Sequence, residues 1–138
     1  MNTVRIAIAV AAAAAAVVLV AGPAVAAPSA APASCGKGYA CVFRDHSYGG
    51  TQVAFEYGIP DLRKVLVAGP GSANADNTTS SAYNNGRTHT AQFWADKNYN
   101  GPSFRLLPGY GDSNLNNSTG TVPVNFNDRV SSAQFVLG

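Results

Sequence analysis

The sequence predicts an all-β domain, a small sandwich of about eight short strands, and three observations carry that expectation. The first is an internal repeat. Phe43-Arg-Asp-His-Ser-Tyr48-Gly-Gly50 lines up with Trp94-Ala-Asp-Lys-Asn-Tyr99-Asn-Gly101, and Asp76-Asn77-Thr78-Thr79-Ser80-Ser81 lines up with Asn127-Asp128-Arg129-Val130-Ser131-Ser132. One offset of 51 residues relates every pair, from Phe43 and Trp94 to Ser81 and Ser132. The second is alternation of apolar and polar residues over 52–57, 91–94 and 132–137. The third is dense turn punctuation at Gly49-Gly50, Asn84-Asn85-Gly86, Asn100-Gly101-Pro102 and Pro108-Gly109, with no helical period kept for three turns beyond the N-terminal segment.

Taken in order, the chain opens with Arg5 and an apolar run from Ile6 to Val20. A Gly22-Pro23 breaker and the small-x-small sequence Ala24-Val25-Ala26 follow. This reads as a cleaved signal peptide over 1–26, with a retained anchor as the alternative. Residues 27–34 are Ala, Pro and Ser only, which predicts a short extended tether. Cys35 and Cys41 are the only cysteines, and in an exported chain an even pair reads as one disulfide. A single domain over 35–138 then holds repeat 1, about 39–86, and repeat 2, about 90–138. Neither repeat could bury an apolar face alone, so the two are expected to pack sheet to sheet around one core. Gly50 and Gly101 are expected where a hairpin folds back on its own sheet, in a backbone conformation that glycine takes cheaply.

Charge and composition exclude several classes. Without Arg5 the chain carries eight basic and seven acidic residues, so neither nucleic acid nor an anionic membrane is an expected partner. Two cysteines and the distant His46 and His89 do not make a zinc site, which needs three or four ligands. No His-Glu-x-x-His, Gly-x-Ser-x-Gly or phosphate-loop motif is present, and Asp45 and Asp96 are equivalent by the repeat, which suits a turn role. The expectation is a binding module, not an enzyme.

Aromatic-x4-aromatic-x-Gly followed by Asn/Asp-Asn/Asp-x-x-Ser/Thr-Ser resembles the double signature of βγ-crystallin Greek-key motifs, and both copies match it over residues 39–138. The opening from Cys35 to Gly50 is similar to the small secreted peptidase (metalloproteinase) inhibitors of actinobacteria with a crystallin-like fold. The resemblance implies Phe43, Tyr48, Gly50, Ser81, Trp94, Tyr99, Gly101 and Ser132 as structural motif residues. It also implies calcium as cofactor, in two sites at one end of the sandwich, each assembled from both repeats. Asp76 and Asn127 would give backbone oxygen, Asn77 and Asp128 side-chain oxygen, Ser80 and Ser131 hydroxyls, and Arg44 and Ala95 backbone carbonyls. Ser81 and Ser132 would instead hydrogen-bond the folded hairpins. With one carboxylate per copy, affinities on the order of 10⁻⁵ to 10⁻³ M are expected. The bland alternative is that such Asn/Asp/Ser turns only satisfy local backbone groups.

The narrower resemblance implies a secreted inhibitor whose partner is a secreted metallopeptidase, with homodimerisation through a sheet face as a further possibility. Two loops are candidates for contact, 67–75 and 107–126. The second reads as longer than the sandwich needs, with Leu115 or Val122 as candidate specificity residues. One disulfide stands where the family's type member has two, so no reactive bond is assigned. Two rivals stand beside it. One is a calcium-stabilised structural or stress module. The other is a cell-wall or glycan-binding domain, with Tyr39, Tyr57, Tyr83 and Tyr110 as stacking candidates beside the motif aromatics.

Overall fold

The computed structural model describes residues 29–67, 74–116 and 125–138. Eight strands lie among them: β1 (Ala40–Phe43), β2 (Gln52–Phe55), β3 (Gly58–Ile59), β4 (Ser81–Asn84), β5 (Thr90–Asp96), β6 (Asn100–Leu106), β7 (Gly111–Asp112) and β8 (Ser132–Val136). They form two four-stranded sheets, ordered β2-β1-β4-β7 and β3-β8-β5-β6. Each repeat makes a hairpin, sends its third strand across to the other sheet, and returns its fourth beside its first. That is a Greek key drawn twice, with β3 and β7 exchanged.

Period-two alternation decides which side chains meet. Ala40 and Val42 of β1, Val53 and Phe55 of β2, Ala91 and Phe93 of β5, and Phe104 and Leu106 of β6 all point between the sheets. Phe55 meets Phe93 edge-on at 6.0 Å, so the core belongs to both repeats. On β1 the intervening Cys41 and Phe43 are also covered, so that strand is buried at all four positions. On its outer face Cys41, Phe43 and Tyr83 pack with Cys35, and the Cys35–Cys41 disulfide closes over them. On the other sheet Gln92 donates to Ser103 and accepts from Arg105, while Trp94 packs against Tyr99.

Three expectations change. Leu115 is fully buried in the shared core and cannot enter a partner's specificity pocket, and Val122 lies outside the described residues. The connection holding the second candidate loop, 113–131, is shorter than its counterpart, 60–80, so it is no insertion. Nor is the tether a mere spacer: the Ser29 carbonyl accepts from the Tyr83 hydroxyl at 2.7 Å and the Ser34 carbonyl from Gln52 Nε2 at 2.7 Å. The signal peptide expected over 1–26 lies outside the described residues, among which no helix is long and apolar enough to cross a membrane.

Candidate metal centre

The two folded hairpins shape one end of the sandwich. Between β1 and β2 the chain makes a 3₁₀ turn, His46–Tyr48, in which Ser47 and Tyr48 have φ of 56° and 60°. Asn98 and Tyr99 repeat this with 57° and 60° between β5 and β6. Gly50 follows at φ +72°, and a Cβ there would lie 2.6 Å from Asp45 Oδ2; at Gly101 it would strike Asp96 in the same way. The equivalent aspartates therefore lie across glycines, as turn residues. Ser81 Oγ donates to the Asp45 carbonyl at 2.7 Å and accepts from Tyr48 N–H at 3.0 Å. Ser132 Oγ makes the same pair with Asp96 and Tyr99, at 2.6 and 3.0 Å. Phe43 and Trp94 sit under Tyr48 and Tyr99, with ring centroids 5.5 and 5.3 Å apart.

The Asn/Asp-rich segments lie against one another and exchange groups. Asn77 N–H donates to the Val130 carbonyl at 3.1 Å, and Asp128 N–H to the Thr79 carbonyl at 2.9 Å. Ser131 Oγ is 3.3 Å from Asn77 Oδ1, a hydroxyl of one repeat on a side-chain oxygen of the other. Ser131 N–H donates to the Trp94 carbonyl, which places Ala95 beside it; Ser80 N–H donates to the Phe43 carbonyl, which places Arg44 likewise. One group is thus Asp76, Asn77, Ala95 and Ser131, lining a shallow cleft with Arg63, Asp96 and Lys97. The reciprocal group is Asn127, Asp128, Arg44 and Ser80.

The donor chemistry fits a hard cation. Asn77 and Asp128 hold φ of 52° and 53°, a left-handed turn in which Asn and Asp are the usual non-glycine occupants. Asp76 Oδ1 and Asn127 Oδ1 are buried with no hydrogen-bond partner, an arrangement that costs free energy unless something else satisfies them. Among the described residues no group of three His, Cys, Asp or Glu side chains converges, so a soft-metal site is not built. His46 and His89 are exposed and lie at opposite ends of the sheets.

Sequence reasoning missed two positioning residues. Leu62 N–H donates to the Ser131 carbonyl at 2.9 Å and Leu115 N–H to the Ser80 carbonyl at 3.0 Å, so each buried leucine pins the motif serine of the other repeat. Leu62 follows Asp61, whose carboxylate accepts from Arg63 N–H and from both Arg63 Nε and Nη2. Those side-chain bonds pull the Asp61 pKa down to about 2. Asp112 behaves in the opposite sense: burial pushes its carboxyl up, only partly offset by the hydrogen bond from Asn114 N–H. Of the stacking candidates outside the hairpins, Tyr83 is buried, Tyr110 is half-buried, and Tyr39 and Tyr57 are exposed.

This architecture has known counterparts. A structure solved in work on the evolution of the eye-lens βγ-crystallin domain fold superposes with a TM-score of 0.59 at 23% identity, over 80% of this chain and 93% of that one. A βγ-crystallin from Ciona intestinalis gives 0.53 at 24%, over 72% and 100%. Spherulin 3a from Physarum polycephalum gives 0.52 at 17%, over 79% and 92%. No curated protein sequence matches the chain. The model of peptidase inhibitor family I36 matches residues 28–106, from the docked tether through the first repeat and the second hairpin. On a match across more than half its length, this chain with a βγ-crystallin fold belongs to peptidase inhibitor family I36 and is a binding module, not an enzyme.

Proposed function

We propose that this protein is a secreted inhibitor of a secreted metallopeptidase, carried on a scaffold that calcium stabilises. The family match over residues 28–106 is the observation that carries the inhibitory reading. A loop whose ends are fixed has less chain entropy to lose on binding. The bases of both candidate loops are held. Leu66 bridges Asn74, and Ala75 N–H donates to the Val65 carbonyl; Phe126 and Asn127 N–H both donate to the Leu115 carbonyl. Export is supported by the Cys35–Cys41 disulfide, which suits an oxidising compartment.

Calcium would be held by Asp76, Asn77, Ala95 and Ser131 in one group and by Asn127, Asp128, Arg44 and Ser80 in the other. Bound there it would supply electrostatic cross-linking of the two repeats. What supports the reading is the exchange of oxygens across the repeats and the two buried, unpartnered side-chain oxygens. The test is an inhibition titration against a panel of secreted zinc metallopeptidases, with serine and cysteine peptidases as controls. Stoichiometric inhibition confined to the metallopeptidases is expected. Inhibition of the controls alone would reassign the target class, and none at all would leave a calcium-stabilised structural module.

A further inference from the structure

We propose a second binding site, at the end of the sandwich away from the cation motifs, that takes a neutral oligosaccharide. A cleft of about 620 Å³ opens there, within the range of small-molecule sites. It lies where β2 ends, where residues 85–89 link the repeats and where β8 finishes. Glu56, Tyr57, Arg87, Thr88, His89 and Phe135 line it. β1 and β5 each begin at this end and run to a folded hairpin, so the two sites sit at opposite poles.

Its walls are built rather than improvised. Asn84, fully buried, accepts from Gly86 N–H at 2.8 Å and donates to the His89 carbonyl at 3.0 Å, bracing the linker from within. Its second amide hydrogen reaches the Leu106 carbonyl at 2.8 Å, so the brace is rooted in β6. Phe135 packs so closely over Gly86 that a Cβ there would lie 2.7 Å from its ring, and the ring is tilted against Phe55 at 5.6 Å. Tyr57 stands beside it, its carbonyl accepting from Phe135 N–H at 2.9 Å, with 80% of its surface open.

The chemistry of the lining selects the ligand. Arg87 and Glu56 bring opposite charges to one cleft, yet the ion pair among the described residues is Arg63 with Asp61. Neither side chain hydrogen-bonds within the described residues, so a planar donor fork and a two-oxygen acceptor are both available. Such groups match the vicinal hydroxyls of a pyranose, and the open Tyr57 ring matches its C–H face. Cancelling charges select against a strongly charged ligand. A zwitterionic peptide end would also match the charges, but both are solvent-exposed, where attraction between point charges is weak. Stacking and hydroxyl bonding do not depend on that attraction.

The experiment is an amide chemical-shift titration of the protein with cellotetraose and chitotetraose up to about 10 mM, beside triglycine as the zwitterionic control. Shifts confined to residues 56–58, 86–89 and 134–136 are expected with at least one sugar. Tyr57→Ala and Arg87→Ala, both at exposed positions, should each weaken binding about tenfold with the spectrum otherwise intact. Calcium should leave the affinity unchanged. No shift with either sugar, shifts elsewhere, full affinity in both variants, or a response to triglycine alone would each overturn the proposal.

Discussion

Asn77 and Asp128 occupy the same place in the two repeats, at φ of 52° and 53°, and differ by one charge. The group around Asn77 is also lined by Asp76 and Asp96, whose charges Arg63 and Lys97 offset, so the difference rests on the ligand side chain itself. Cation affinity in oxygen sites follows ligand charge, so the two sites should be unequal, with the Asp128 site the tighter. Asp128→Asn is expected to weaken the tighter step about tenfold, and Asn77→Asp to strengthen the weaker one by a similar factor. Ser131→Ala should weaken the Asn77 site alone. Calorimetric titration separates these outcomes, and two equal steps in the unaltered protein would count against the ligand assignment. The buried carboxyls make an independent statement about pH. Asp61 is held at about 2, below its ordinary 3.8, so its contribution is complete above that ordinary value and lost as pH falls through about 2. Asp112 is raised by burial and its Oδ2 has no partner, so it favours the fold when protonated and costs stability as pH rises through its raised pKa. Asp112→Asn should therefore raise the melting temperature at pH 7, and Asp61→Asn should lower it. Both differences should fade in acid, where melts from pH 2 to 7 would show it.

The folded hairpin is the element on which the site is built, and it was legible because its requirements are local. An aromatic at 43 or 94, a tyrosine five residues on and a glycine two beyond that each answer a need of the turn: a ring to cover, a ring that covers it, and a backbone at positive φ. Gly50→Val puts a β-branched residue at φ +72°, with its Cβ driven onto the Asp45 carboxylate. A cost of about 1–3 kcal/mol is expected, lowering the melting temperature by roughly 5–20 °C. A melt unchanged within a degree or two would mean the hairpin is not held by its glycine. What stayed illegible has an equally physical cause. Leu62 and Leu115 pin the opposite serines through backbone N–H groups, which leave no side-chain signature. They also fall out of the register set by the motifs, because the third strands of the two repeats are displaced by two residues. The docking of 29–34 is likewise carried by carbonyls, so its Ala/Pro/Ser composition could only suggest a spacer.

At the scale of the whole molecule, the constant repeat offset made two packed copies the natural reading, but it could not show that the copies exchange strands. Among the described residues β3 of the first repeat pairs only with β8 of the second, and β7 of the second only with β4 of the first. The core is shared in the same sense: Phe55 meets Phe93 and Phe135, and Ala75, Leu62 and Ala82 join Phe104, Leu115 and Phe126 in one cluster. A chain ending at Arg87 would therefore keep one hairpin and β4 while losing both the partner of β3 and half of its apolar cover. Domains this small hold little stability in reserve, and exposing one face of a sheet removes the main favourable contribution to folding. The fragment 29–87 is expected to show no cooperative melt and collapsed amide dispersion as a monomer. If it self-associates, it should do so as a symmetric pair, a second copy standing where repeat 2 stands and lending its third strand in return. Sedimentation with an amide spectrum distinguishes the cases. A monomeric fragment with dispersed signals and a sharp melt would mean that each repeat folds by itself, and that strand exchange follows folding rather than making it possible.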